Sequence, residues 1–444
     1  MWSALSFAPG RTPRRSSAAS SACGSSFHRS TASPSPTMDG GRGRSRVLLT
    51  TTRPRGGRQM AVATRHSVEG VQRGIRDIAT RWSSERADRQ QRRELHASDF
   101  AEIAETGFLE LVVPAEAGGL WAATATSTRA VCEVLRELAR ADSSVALVSS
   151  MHLTVVYLCW LSDLEAPPER ARAWGSQRRE VFRSIQDGAW YGTITSEPGS
   201  GGDVTKTKAT AQPIADGRYR FSGTKHFGSG SGITSFMMTS ALPTDAKTPE
   251  IFYMDVRGAR WDGSTGITLL SPWDGHGMIA TQSHAFRFDG YTAALIGWPG
   301  YLEKRLPQAG PFLSCAFSAV IVGIVEAAME AARQAIGPKR TTLRAYEQVE
   351  WAQANVEAWL IAQAYEGMLR AMERESGRGT LEGKTAIADL AESVTSRLCK
   401  IVGGGTFGRG SPFGHFAEDV RALGFLRPPW GLAYDRLFES SWAS

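Results

Sequence analysis

Between residues 66 and 186 apolar positions recur three and four apart. "VEGVQRGIRDIATRW" and "SDFAEIAETGFLEL" each predict an amphipathic helix. "VVPAEAGGL" interrupts the pattern with Pro114 and the Gly118-Gly119 pair. "STRAVCEVLRELARADSSVALVSSMHLTVVYLCWL" predicts two more helices, the second apolar on most faces and so buried. Near 189 the period changes to two. "AWYGTITS", "RYRFSGTKHF", "ITSFMMTSAL", "EIFYMDVR" and "SHAFRFDG" are short β-branched or aromatic runs, separated by turn signals, as in a β-barrel or sandwich. From about 308 the helical period returns in "FLSCAFSAVIVGIVEAAMEAARQAI", "TTLRAYEQVEWAQANVEAWLIAQAYEGMLRAM" and "GKTAIADLAESVTSRLCKIV", with a last helix near 416–438. Long helices with short links read as a four-helix bundle. The expected organisation is a helical domain over 66–186, a middle β-barrel over 187–300 and a C-terminal bundle over 305–444, an α+β chain.

Composition changes the picture only at the front. Residues 1–60 hold ten Arg, no Lys and one acid, Asp39, a balance of +9. The whole chain carries +7, so the remainder carries 7 − 9 = −2. The basic character belongs to this Ser-, Gly- and Pro-rich stretch, which cannot bury enough apolar surface to fold. It is expected to be a disordered extension, with an organelle transit peptide as the other reading and Met60 as a natural second start. The folded body gives no electrostatic argument for nucleic acid. No run approaches about 18 consecutive apolar residues, so no membrane span is expected. The cysteines (Cys23, Cys132, Cys159, Cys315 and Cys399) form no CxxC and read as reduced thiols, which favours a cytoplasmic protein. The histidines show no metal-ligand spacing, so no metal is expected.

The glycine run in "TSEPGSGGD" (195–203) invites comparison with phosphate loops. A P-loop needs Gly-Lys-Ser/Thr entering a helix, and a dinucleotide fingerprint needs a helix after its glycines. Here a strand-like alternation follows. What remains is a strand–turn–strand with a backbone bare enough for a flat ligand to approach.

Four segments together resemble the acyl-CoA dehydrogenase superfamily over roughly residues 66–440. "ETGFLELVVPAEAGG" resembles its Gly-Leu…Pro-Glu…Gly-Gly stretch. "ITSEPGSGGD" resembles its Thr-Glu-Pro-x-x-Gly-Ser-Asp loop, and "FSGTKHFGSGSG" its Asn-Gly-x-Lys-x-Trp-Ile-Thr/Ser segment. "CKIVGGGTFGRGSPFGHFAEDVRA" resembles its Gln-x-x-Gly-Gly…Arg-Asp segment. The resemblance implies FAD between barrel and bundle, or FMN or reductase-supplied reduced flavin in a monooxygenase. It places Thr193, Thr195 and Ser196 along the flavin ring, beside the bare turn of Gly201 and Gly202. Phe227 replaces the ring-covering Trp, and Ser229 sits where a hydroxyl faces flavin N5. Gly403, Gly404 and Gly405 would let a neighbouring subunit approach a pyrophosphate. Electron density arrives at N1/O2 and N5 on reduction, so donors there are a physical requirement.

The departures are equally specific. Gly202 stands where the family has Ser, and the Arg-x-x-Phe-Gly motif is not recognisable, leaving Lys339, Arg340 or Arg344 as phosphate candidates. The family's usual Glu base aligns with Arg427, and the other usual position, in "PFLSCAFSA", holds no acid. Glu326, Glu330, Glu347 and Glu350 read as surface or helix-pairing acids. His152 is a candidate for orienting substrate or assisting a proton transfer, and His276 and His284 flank "GMIATQS".

The resemblance therefore implies a flavin-dependent oxidoreductase. The leading expectation is α,β-oxidation of a CoA- or carrier-linked acyl thioester, with an electron-transfer flavoprotein as partner. The alternative is a two-component monooxygenase that works through a flavin C4a-hydroperoxide and depends on a reductase. A non-catalytic flavin-binding scaffold is the third reading. A homodimer or homotetramer is expected in each case.

Overall fold

The computed structural model describes residues 66–215 and 217–442. The basic extension, Cys23 and Met60 lie outside the described residues. Six helices come first: α1 (Val68–Ser84), α2 (Arg86–Arg89), α3 (Ala97–Glu105), α4 (Thr124–Ala141), α5 (Ser143–Trp160) and α6 (Pro168–Gln186). Ser67 caps α1 by accepting the Gly70 N–H at 3.1 Å, and Asp142 caps α5 by accepting that of Val145 at 2.9 Å. Nearly every residue of α5 is buried, as its all-round apolar pattern requires. Both α5 and the helix that begins at Tyr301 are long and apolar enough to cross a membrane, but 94% of the 18-residue apolar stretch in each is buried inside the fold, so they are core helices.

Seven strands follow: β1 (Tyr191–Thr193), β2 (Thr210–Ala215), β3 (Arg218–Gly228), β4 (Phe236–Pro243), β5 (Glu250–Asp255), β6 (Ile267–Ser271) and β7 (His284–Leu295). Their pairings close into a ring, β2–β3–β7–β5–β4 and back to β2, with β1 added along β4 and β6 along β7. Inward-facing Phe221, Phe252, Met254, Phe286 and Phe288 fill this small barrel.

The C-terminal region holds α7 (Tyr301–Ile336), α8 (Ala345–Glu373) and α9 (Thr380–Val402), then α10 (Pro412–Val420), α11 (Ala422–Phe425) and α12 (Trp430–Trp442). The last helix, expected near 416–438, is broken into three. Pro428 and Pro429 cannot donate to a helix ladder. Gly424 has no room for a side chain, since a Cβ there would meet Trp430 Nε1 at 1.9 Å. The break lays residues 425–431 along the cleft, and that strap forms one wall of the site.

Candidate functional site

An open cleft of about 780 Å³ lies where α5, α7, the barrel and the strap meet. Leu147 and Met151 of α5 and Phe317 of α7 give it an apolar floor. Thr193, Thr195, Ser196, Gly201, Gly202, Phe227, Ser229 and Arg427 all line it. Eight of the residues singled out from sequence thus converge on one space.

The Glu-Pro turn is built to stay open. Gly199, Gly201 and Gly202 hold φ of +79°, +61° and +79°, the left-handed region that side chains rarely adopt. A Cβ on Gly201 would meet nothing within 4 Å, so the turn presents bare backbone to the cleft. Glu197 fixes the turn from beneath. It accepts from buried Lys225 Nζ at 2.5 Å and from the Lys208 N–H at 2.6 Å, and it also binds the Thr207 hydroxyl. Burial raises the Glu197 pKa, but bonds from Lys225, Thr207 and Lys208 outweigh that and hold it below the ordinary value. Glu197 is an anchor, not a proton carrier.

Arg427 reaches from the strap across to this turn. Its Nη2 donates to Thr195 Oγ1 at 2.6 Å, and its Nη1 to the Gly202 carbonyl. Burial lowers its pKa to about 10, so it stays a cation at neutral pH. Because the Thr195 oxygen accepts from Arg427, the Thr195 proton is free for a ligand. Buried Lys384 of α9 holds the strap itself, donating to the carbonyls of Leu423 at 2.9 Å and Pro428 at 3.0 Å, one on each side of Arg427.

The opposite wall is the β6–β7 connection, whose sequence carries no periodic pattern to mark it. Trp273, His276, Met278, Thr281 and Ser283 line the cleft from it. Met278 and Gln282 adopt φ of +50° and +47°, strain that needs outside support. Asp419 of α10 supplies it by accepting the Met278 N–H at 2.5 Å and the Ser143 hydroxyl. Gly277 lets the loop close on α10, since a Cβ would meet the Glu418 carbonyl at 2.4 Å. Phe227, at φ +59° in a bulge of β3, points an exposed ring toward Trp273, with centroids 6.0 Å apart. Ser229, Ser283 and Thr281 form a hydroxyl chain along this wall, with spacings of 2.8 and 2.7 Å.

Several candidates lie elsewhere. His152, next to Met151 on α5, is fully buried against Trp190 and does not line the cleft, which corrects its expected role toward flavin or substrate. Its Nδ1 accepts the Tyr191 N–H at 3.1 Å, its ring packs on Trp190, and burial pushes its pKa down to about 3. It is a neutral core histidine. Gly403, Gly404 and Gly405 lie at the surface end of α9, outside this chain's cleft. Glu326 pairs with Arg136 at 2.7 Å, Glu350 with Arg397 at 2.6 Å and Glu330 with Arg333 at 3.5 Å, while Glu347 accepts the Arg344 N–H at the start of α8. Lys339, Arg340 and Arg344 do not line the cleft either. His284 accepts the Trp273 N–H at 2.9 Å beneath the loop. One carboxylate that sequence reasoning passed over does reach the cleft: Glu418, paired with Arg421 at 2.7 Å.

With this geometry in hand, comparisons with known proteins converge. The family "Acyl-CoA dehydrogenase, N-terminal domain" matches residues 65–162. The dibenzothiophene monooxygenase of Mycolicibacterium goodii is 26% identical over 367 residues, 74% of this chain and 83% of that protein. Rhodococcus proteins of the same name are matched over 60% of their length. The L-evernosamine nitrososynthase of a Micromonospora species is 28% identical over 379 residues, 79% of this chain and 84% of that one. FMN-bound TdsC from Paenibacillus sp. A11-2 superposes with a TM-score of 0.67 at 20% identity, covering 82% of this chain and 95% of TdsC. The fold is that of the acyl-CoA dehydrogenases. The resemblance to that superfamily holds and extends to its monooxygenase relatives, which marks the chain as an acyl-CoA dehydrogenase-like oxidoreductase.

Proposed function

We propose that this chain is a two-component flavin-dependent monooxygenase, which takes reduced FMN from a separate reductase and oxygenates a small sulfur- or nitrogen-bearing molecule. The observation that carries this reading is Arg427. Dehydrogenation needs a carboxylate to take the α-proton. Where the dehydrogenases' Glu aligns, this chain has a guanidinium bound to Thr195 and Gly202. The names of the relatives, a monooxygenase, a nitrososynthase and an FMN-bound structure, support the same reading.

The residues present fit a flavin. The left-handed turn offers open space at Gly201 for a flat ring, Thr195 offers a free hydroxyl proton, and Phe227 and Trp273 offer aromatic cover. Bound flavin would supply the activation of molecular oxygen. Arg427 would supply positive charge beside Thr195, where negative charge gathers on reduction. Leu147, Met151 and Phe317 would exclude water and receive an apolar substrate. FAD remains compatible with the fold, but FMN is favoured because the superposed TdsC structure is FMN-bound. A cytoplasmic location and assembly into a homo-oligomer belong to the same proposal.

A second reading is kept for one observation. Glu418 lines the cleft and could serve as the base of an acyl-thioester dehydrogenase. Two experiments separate the readings. Product that forms only with a reductase and oxygen, and carries label from oxygen gas, supports the monooxygenase. Flavin that bleaches under an acyl-CoA without oxygen supports the dehydrogenase and overturns the first reading.

A further inference from the structure

Three hydroxyls lie in a row along the cleft wall. Ser229 Oγ is 2.8 Å from Ser283 Oγ, and Ser283 Oγ is 2.7 Å from Thr281 Oγ1. The row ends on a carbonyl: Thr281 Oγ1 lies 2.8 Å from the Met278 oxygen. Each hydroxyl has one proton, and a carbonyl can only accept. The Thr281 proton is therefore committed to Met278. Thr281 must then accept from Ser283, and Ser283 must accept from Ser229. The direction of the whole row is set at its far end. All three residues are buried, and that carbonyl is itself held by Trp273 Nε1 at 3.0 Å.

The consequence falls on Ser229. Its one proton points away from the cleft, so its oxygen offers the cleft only lone pairs. The resemblance placed this hydroxyl as a donor toward flavin N5, and the row gives it the opposite sense. Oxidised flavin has a lone pair at N5, which at the position the resemblance implies would face the Ser229 lone pairs unfavourably. Reduced flavin carries a proton at N5 and can donate to them. We propose that the Ser229–Ser283–Thr281 row makes the cleft select the reduced flavin over the oxidised one. This rests on the flavin reading above. It assigns Thr281 and Ser283 as specificity-determining residues that act through Ser229.

Thr281→Val keeps the shape of the side chain and removes the anchor. Ser283 no longer has Thr281 to donate to, and Ser229 becomes free to turn its proton toward N5. Full-length protein is titrated with oxidised FMN in air and with reduced FMN under argon, and the midpoint potential of the bound flavin is measured. Wild type should bind reduced FMN more tightly. Thr281→Val should lower the ratio of the two affinities by about tenfold, equivalent to a fall of about 30 mV in the two-electron potential. Ser283→Ala should act in the same direction, and it serves if the valine variant does not fold. Thr281→Ser keeps both the donor and the acceptor and should restore the wild-type ratio. A ratio unchanged in both Thr281→Val and Ser283→Ala overturns the inference while leaving the flavin reading intact. Failure of wild type to bind either form overturns the flavin reading, and the inference with it.

Discussion

Single atoms decide the sharpest expectations. Gly201 is left-handed at φ +61° and faces open space. Gly201→Val should abolish FMN binding by filling the space beneath the ring. The same change at Gly217, also left-handed at φ +72° with nothing near its Cβ, carries similar backbone strain, on the order of 1–2 kcal/mol. It lies away from the cleft and should leave FMN bound. Flavin fluorescence titration of both variants separates blocked space from lost stability. Arg427 makes two charge-assisted bonds to the turn. Arg427→Glu removes both and brings negative charge beside Thr195. Turnover per folded molecule should fall on the order of 100-fold, read as product formed with a reductase and oxygen. Turnover that survives with only a lower melting temperature would reduce Arg427 to a clamp on the turn.

At the scale of elements, two buried charges hold the cleft walls, Asp419 for the β6–β7 loop and Lys384 for the strap. Burial lowers the Lys384 pKa from 10.5 to about 8. Between those values the unfolded chain binds the proton and the fold does not, so stability rises with pH across the window. The gain is at most about 3 kcal/mol and is lost as pH falls through 8. Lys225 titrates in the same sense, so the quantity to measure is the difference between wild type and Lys384→Met. Urea denaturation from pH 7 to pH 10 should show a steeper rise in wild type than in the variant; parallel curves would show that Lys384 is not buried as a cation. Sequence pattern made one wall legible and hid the other. The Glu-Pro turn announced itself because strand alternation brackets a glycine run. The loop holding Trp273 and Ser283 has no period, and a carboxylate about 140 residues later along the chain fixes its place. Likewise, all-round apolarity showed α5 to be buried but could not say that Met151 faces the cleft while His152 faces Trp190. The strap falls inside the helix expected near 416–438, and the two prolines that interrupt it there show only that the helix must end or kink, not that Arg427 turns toward Thr195.

At the scale of the whole molecule, the outer face of α8 is unsatisfied. Tyr346, Val349, Val356 and Leu360 fall on one stripe, spaced three, seven and four apart, and each is 41–59% exposed, with Trp359 beside them at 59%. Phe407, just past the triple glycine, is 95% exposed. A monomer gains nothing from apolar side chains presented this way, and a helix stripe of this kind buries itself best against another helix. The chain should therefore be a homodimer or homotetramer in solution, with α8 at a contact between copies and the glycines of 403–405 brought close to a neighbour. Light scattering after size exclusion measures the mass directly. Val356→Lys combined with Trp359→Glu places charge in the stripe without touching the cleft, so it should shift the mass toward the monomer while each subunit stays folded. Loss of FMN in that smaller species would mean that a neighbouring copy helps hold the cofactor, the role the resemblance gives to Gly403, Gly404 and Gly405. FMN retained by a stable monomer would mean that the cleft of one chain is sufficient, and that the glycines merely end α9.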